Sequence, residues 1–279
     1  MALKFMYITN QSEIAVIAQK YGVDRIWIDL ETLGKEERQK NMDCVKSHHT
    51  IADIARLRPL LSTSELMVRI NPWNENSEQE IEQVIAAGAD RVMLPMWKAA
   101  TEVKAFFNTV CGRVRTTLLL ETKEAVACLD DVLKFSDLEE IHIGLNDLHL
   151  SFGLTFMFEL LANGIIEGIT KKLLSAGIPF GFGGIARIGE GMLPAERVIT
   201  EHYRLGSTQA ILSRAFCNTD RVTDIGEIEE IFRKNIQEIR EFESRLQTLT
   251  EAGYEKNRKE VIELVQQIVK NIQERRKNG

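Results

Sequence analysis

Val114-Arg115-Thr116-Thr117-Leu118-Leu119-Leu120-Glu121, the amphipathic segment Lys123–Lys134, and Glu140-Ile141-His142-Ile143-Gly144-Leu145-Asn146-Asp147 read as strand, helix and strand. Each apolar run is followed by an acid, Glu121 and Asp147. The alternation extends in both directions. Candidate strands fall at Phe5–Ile8, Arg25–Leu30, Leu66–Ile70, Arg91–Pro95, Val114–Glu121, Glu140–Leu145, Phe180–Gly183 and Ala210–Ser213. Between them lie helical patterns at Ser12–Lys20, Ile51–Leu61, Glu78–Ala87, Thr101–Val110, Lys123–Lys134, Met157–Ser175 and Pro194–Leu205. Glycine closes several helices just before the next strand, at Gly22, Gly88, Gly177 and Gly206, because it accepts the left-handed conformation that ends a helix. Eight such units predict an α/β chain whose residues 1–224 form a (β/α)8 TIM barrel. An open doubly wound sheet would alternate in the same way, but no GxGxxG follows the first strand.

From Ile225 the pattern changes. Ile228, Phe232, Ile236, Ile239, Phe242, Leu246 and Leu249 make one apolar helical stripe; after Gly253, Val261, Leu264, Val265, Ile268, Val269 and Ile272 make a second. A barrel needs one closing helix, so the surplus stripe needs a partner, either the barrel's own flank or another subunit. Residues 225–279 are accordingly read as a helical C-terminal extension and an oligomerisation element.

The bulk composition narrows the function. The chain has 279 residues, 44% hydrophobic and 27% charged, as expected for a globular protein with a sizeable core. A net charge of -6 gives no reason to expect nucleic acid or an acidic membrane surface. No apolar stretch approaches the roughly 18 residues that span a bilayer, and no secretion signal is visible. Cys44, Cys111, Cys128 and Cys217 lack CxxC spacing and read as reduced thiols. The expectation is a cytoplasmic protein.

On neighbouring barrel strands, Glu121 and Asp147 would both project from the C-terminal rim, where barrel enzymes do their chemistry. Two hard oxygen ligands make half of a Mg2+ or Mn2+ site, with substrate and water supplying the rest. Arg69 ends the third strand and offers a planar fork for a carboxylate, or else is a surface or an ion-paired arginine. Asp29 and Glu31, on one side of the second strand, could hold metal-bound waters, orient Arg69, or be solvated loop acids. Gly144 lets backbone approach closely beside Asn146 and Asp147. Farther on, Gly183, Gly184, Arg187 and Arg214 follow strands seven and eight, where barrels often bind phosphate. They would hold an anionic part of a substrate, a phosphate or second carboxylate; the alternative is a flexible loop with solvated arginines.

Several segments together resemble the HpcH/HpaI aldolase and citrate lyase β-subunit family of metal-dependent barrels. They are Asp24-Arg25-Ile26-Trp27-Ile28-Asp29-Leu30-Glu31, Val68-Arg69-Ile70-Asn71, residues 88–96, Leu120-Glu121-Thr122-Lys123-Glu124-Ala125-Val126, and Gly144-Leu145-Asn146-Asp147-Leu148. The resemblance implies that Glu121 and Asp147 ligate a divalent cation and that Arg69 grips the carboxylate of a pyruvate-like 2-oxo acid. It also implies a metal-stabilised enolate in a carbon–carbon lyase or aldolase, and assembly into a homo-oligomer through C-terminal helices.

The chain departs from the aldolase branch at one place. Those enzymes continue D-x-E-H; here Thr32 follows Asp29-Leu30-Glu31, and Ala86 stands where the histidine's partner aspartate would be. His149, after Asp147, is the best placed substitute, with His48 and His49 next; His142 reads as buried within a strand and His202 as exposed on a helix. Catalytic candidates are therefore Arg69 and His149. Substrate-binding candidates are Arg69, Gly144, Asn146, Arg187 and Arg214. Two other readings stay open: a citrate-lyase-like enzyme acting on a CoA thioester, and a non-catalytic barrel that binds a metal and a small acid.

Overall fold

A computed structural model of the chain describes residues 2–34 and 48–278; Cys44 lies outside them. The strands are β1 (Lys4–Ile8), β2 (Arg25–Asp29), β3 (Glu65–Arg69), β4 (Arg91–Leu94), β5 (Arg115–Leu120), β6 (Ile141–Ile143), β7 (Phe180–Ile185) and β8 (Gln209–Leu212). They close into a barrel in sequence order, and the pairs with described register are parallel. The expected (β/α)8 class is therefore correct. By contact density the chain divides into two compact units, Lys4–His142 and Ile143–Gly279 with Met1–Leu3.

In the first unit, α1 (Ser12–Lys20), α2 (Ile51–Leu57), α3 (Ser77–Ala86), α4 (Ala100–Val110), α5 (Lys123–Ala127) and α6 (Leu129–Val132) alternate with the strands. The helix expected over Ile51–Leu61 tightens into a 3-10 turn at Arg58–Leu60, where Pro59 cannot continue the α-helical hydrogen bonding. Lys123–Lys134 is broken at Cys128 into two short helices.

The register of this unit shows which side chains face the barrel's bore. Arg25 bonds Glu140 through Nη1 to Oε1 at 2.7 Å and Nη2 to Oε2 at 2.9 Å. Glu140 directly precedes β6, four places from β2 in the strand order, so this contact crosses the bore. Strand alternation then turns Trp27 and Asp29 inward above Arg25. Glu65 accepts from both Arg25 and Arg91, and Thr117 Oγ1 donates to Glu140 at 2.6 Å. The first layer of the bore is thus ionic. Burial opposes the charged form of Glu140, but Arg25 and Arg91 outweigh it and hold its carboxyl below the ordinary range.

The second unit contains α7 (Leu145–Ser151), α8 (Glu159–Ala162), α9 (Ile165–Ser175), α10 (Ala195–Leu205), α11 (Ile225–Leu246) and α12 (Glu251–Asn278). Gly164, at φ +80°, splits the helix expected over Met157–Ser175. His202, expected to be exposed, is fully buried, because its ring stacks on Phe182 at 3.8 Å and its Nδ1 pairs with Ser207 Oγ at 2.8 Å.

The first C-terminal stripe packs inward, with Phe232 edge-on to Phe216 at 5.2 Å. Helix α12 lies against α8 and α10, burying Val261 and Val265, while Asn257 Nδ2 donates to Glu201 at 2.9 Å. Val261 and Val265 of the second stripe therefore have partners in their own chain. Leu264, by contrast, remains 38% exposed.

Candidate active site

The chemistry-bearing residues of the first unit gather at the C-terminal ends of β2, β3 and β5. Asp29 and Arg69 are register partners. Arg69 Nε donates to Asp29 Oδ1 at 2.9 Å, Nη2 donates to Oδ2 at 2.8 Å, and Nη1 lies 3.3 Å from Glu31 Oε2. Of the options open for Asp29 and Glu31, the structure shows them orienting the arginine. The guanidinium also lies over the Trp27 ring, 5.2 Å from its centroid. Burial opposes the positive charge of Arg69, yet Asp29, Glu31 and Glu121 raise its pKa above the ordinary value. A guanidinium has five N–H donors. Asp29 takes two of them, and Glu31 lies at ion-pair distance from Nη1.

Glu121 follows β5 and is 3% exposed. Its Oε1 accepts the Met96 N–H at 3.0 Å. Met96 has φ +53°, unusual for a residue with a side chain, so this bond helps hold the turn after β4. Thr122 caps α5 by accepting from the Ala125 N–H at 3.0 Å, and its hydroxyl donates to the Trp97 carbonyl at 2.9 Å. The acid is therefore placed by a strand end and a helix start together.

Thr32 has a structural partner. Its N–H donates to Asn71 Oδ1 at 2.9 Å, and Leu33 N–H donates to the same oxygen at 3.1 Å. Asn71 Nδ2 in turn donates to Glu80 at 2.8 Å. Burial raises the Glu80 pKa, against the Asn71 hydrogen bonds. Position 32 thus pins a turn. His49 lies nearby: its Nδ1 accepts the Asp29 N–H at 3.0 Å.

In the second unit, Gly144 precedes α7, and Asn146 and Asp147 occupy its first turn, half-buried. An acid there is favoured by the helix dipole. His149 is 5% exposed, and its Nδ1 is 3.2 Å from the Leu145 carbonyl. A carbonyl can only accept, so the proton is on Nδ1 and the lone pair of the neutral ring on Nε2. Arg187 and Arg214 are half-buried after β7 and β8. Arg187 has no ion-pair partner among the described residues, and its Nε is buried without a hydrogen bond. Gly183 and Gly184 serve close packing: a Cβ would meet Leu145 Cδ1 at 2.7 Å and Ser213 Cβ at 3.2 Å respectively. Their missing side chains make room for the protein's own atoms.

A cleft of about 800 Å3 opens at the other end of the first unit's strands, lined by Arg58, Glu65, Asp90, Arg113, Arg115 and others. Its arginines are engaged: Arg58 with Asp90, Arg113 with Glu82, Arg115 with Glu65. That end of a barrel serves stability rather than chemistry.

Among the described residues, no three His, Cys, Asp or Glu side chains converge as a metal-ligand group. The donor chemistry nevertheless suits a hard divalent cation. The acids Asp29, Glu31 and Glu121, each at most 3% exposed, act on one guanidinium, an excess of negative charge that a divalent cation would offset. No described helix is long and apolar enough to cross a membrane.

A family model described as HpcH/HpaI aldolase/citrate lyase matches residues 4–159. A sequence search of curated proteins found no match. Among solved structures, an HpcH/HpaI aldolase from Desulfitobacterium hafniense DCB-2 superposes with TM-score 0.61 at 14% identity, covering 82% of this chain and 93% of that one. An HpcH/Hpal aldolase/citrate lyase family protein from Burkholderia cenocepacia J2315 gives 0.58 at 13% identity, covering 86% and 95%. The citrate synthase SbnG gives 0.55 at 15% identity, covering 76% and 85%. At such identities the structural likeness establishes the fold.

Proposed function

Because the chain belongs to the HpcH/HpaI aldolase/citrate lyase family, whose members are lyases, we propose that it is a divalent-metal-dependent carbon–carbon lyase acting on a 2-oxo acid. Glu121 and Asp147 would hold Mg2+ or Mn2+. When bound, the ion supplies Lewis-acid stabilisation of the enolate that forms as a carbon–carbon bond breaks or forms. The observation that carries this reading is the Arg69 cluster. Asp29 grips one edge of the guanidinium side-on, so the remaining donors have a fixed direction in which to receive a substrate carboxylate.

The other residues have separable tasks. Gly144 and Asn146 would line the substrate's path beside Asp147. Arg187, which has no ion-pair partner among the described residues, would take a second anionic group with Arg214, either a phosphate or a carboxylate. His149, with its lone pair on Nε2, is the proton acceptor we assign. Helix α12 would serve assembly into a homo-oligomer through exposed Leu264; a monomeric mass in solution for the full chain would overturn that part.

The test is exchange of pyruvate C3 protons in deuterated water, with and without Mg2+ or Mn2+, for wild type and Glu121→Ala. Metal-dependent exchange that the variant lacks supports the reading. No exchange with metal still bound favours one of two alternatives, a CoA-thioester substrate or a non-catalytic acid-binding barrel. Thr32 speaks for the latter, since it is tied to Asn71 where the aldolases have their histidine.

A further inference from the structure

We propose that His49 is a positioning residue for Arg69, acting through the backbone of Asp29. The proposal rests on the reading of Arg69 as the carboxylate anchor. Strand β2 outlasts its neighbour β1: their last register pair is Ile8 with Trp27, Thr9 N–H donates to the Trp27 carbonyl at 3.2 Å, and the chain then turns into α1 at Ser12. No β1 carbonyl is left to receive the Asp29 N–H. On the other side, Leu30 N–H reaches the Arg69 carbonyl at 2.9 Å, so β3 continues to hold the strand there. The Asp29 amide needs an acceptor from elsewhere, and His49 Nδ1 provides it at 3.0 Å.

His49 is itself anchored by its neighbours in the chain. Thr50 and Asp53 form a capping box at the start of α2, with Thr50 N–H donating to Asp53 Oδ2 at 2.7 Å. Arg56 pairs with the same carboxylate, and Asn10 Nδ2 donates to it at 3.3 Å. The imidazole therefore leaves a backbone fixed to both α2 and the loop after β1. It fixes the backbone of Asp29, whose carboxylate aligns Arg69.

The chemistry of this bond sets the ring's form. An Nδ1 that accepts an N–H carries a lone pair, so the neutral ring holds its proton on Nε2. That is the opposite tautomer to His149, where Nδ1 donates to a carbonyl. His49 thus works through a backbone amide, while His149 offers a base.

The experiment compares wild type, His49→Ala and His49→Asn, measuring oxalate binding in the presence of Mg2+ by calorimetry. Asparagine can still accept at the Nδ1 position; alanine cannot. His49→Ala should weaken oxalate binding about tenfold, the size expected for one lost hydrogen bond's worth of alignment, and His49→Asn should recover most of that loss. Long-range 1H–15N spectra of the wild type should show the Nε2–H form, with the Asp29 amide resonance shifting in His49→Ala and not in His49→Asn. An asparagine variant as weak as alanine overturns the positioning role, and so do two variants that bind like wild type. An Nδ1–H ring overturns the hydrogen bond itself. A wild type that binds no oxalate sinks the anchor reading and the positioning role with it, while the ring's tautomer still decides whether the bond to Asp29 exists.

Discussion

Asp29 and Arg69 are register partners at the last paired position of β2 and β3, and their side chains close two parallel hydrogen bonds of 2.9 and 2.8 Å. With Asp29 2% exposed, the pair is held away from water. Removing one partner of such a pair costs more than the pair itself contributes, because the other charge is left in a poor environment. Asp29→Asn should therefore destabilise the fold toward the lower end of roughly 3–5 kcal/mol, since Glu31 still faces Arg69. Urea unfolding reads this as a lower midpoint; an unchanged midpoint would show the pair to be dispensable.

Arg69→Lys keeps the charge and loses the planar fork. An ammonium cannot engage Asp29 on one edge and a ligand on another in fixed directions. Oxalate binding should fall by about tenfold or more, while stability changes less than in Asp29→Asn. Equal affinity for wild type and lysine variant would mean that the charge alone, not the fork, matters at this position.

The ionic floor of the bore makes a prediction about acid. Glu140 is opposed by burial but held by Arg25 and Arg91 below its ordinary value of 4.5, and Glu65 shifts in the same direction against its own burial. A carboxyl with a depressed folded pKa contributes stability that is fully present above its unfolded value and is lost as pH falls through the folded one. Unfolding free energy should thus be level near neutrality and decline below about pH 4.5 as the floor takes up protons. Glu140→Gln should be less stable at pH 7 and show a shallower acid decline. Parallel pH profiles for the two proteins would remove Glu140 from the account.

Much of this architecture was legible because strands and helices carry their own periodicities. All eight strands appear in the pattern, and its expected ends for β1 and β2 lie within one residue of the observed ones. The acids after β5 and β6 stood out because an apolar run ending in a carboxylate is readable without partners. What escaped were relationships between distant residues. Nothing in the spacing of His49 and Asp29 announces a side chain accepting a backbone N–H, since that acceptor was needed only because β1 stops short. Arg25, Glu65, Arg91 and Glu140 sit at or beside strand starts, where charges usually meet solvent; only closure of the barrel turns them into a buried layer. His202 looked exposed because its charged helix neighbours masked its stacking on Phe182.

Glu121→Gln separates the acid's two tasks. The amide oxygen can still accept the Met96 N–H, so the turn after β4 should persist and stability should stay within about 1 kcal/mol of wild type. The negative charge is lost from one of the two hard ligands we assign to the cation, and a neutral amide oxygen binds it more weakly. Mn2+ binding followed by electron paramagnetic resonance should weaken by about tenfold or more, and Asp147→Asn should do the same. Undiminished Mn2+ binding in both variants would refute this ligand pair.

Cys111 offers a stability test away from the site. It caps α4 in the left-handed conformation, at φ +50°, is exposed, and is followed by Gly112 at φ +65°. Its N–H donates to the Phe107 carbonyl at 2.8 Å, a bond that any residue there can make. A side chain in this conformation costs about 1 kcal/mol that glycine avoids, although glycine also loses more backbone freedom on folding. Because the thiol is exposed and contributes little burial, relief of strain should prevail. Cys111→Gly should stabilise the chain by about 0.5 kcal/mol, and Cys111→Val, branched at Cβ, should destabilise it. If both substitutions shift the urea midpoint the same way, the left-handed cap does not determine stability at this position.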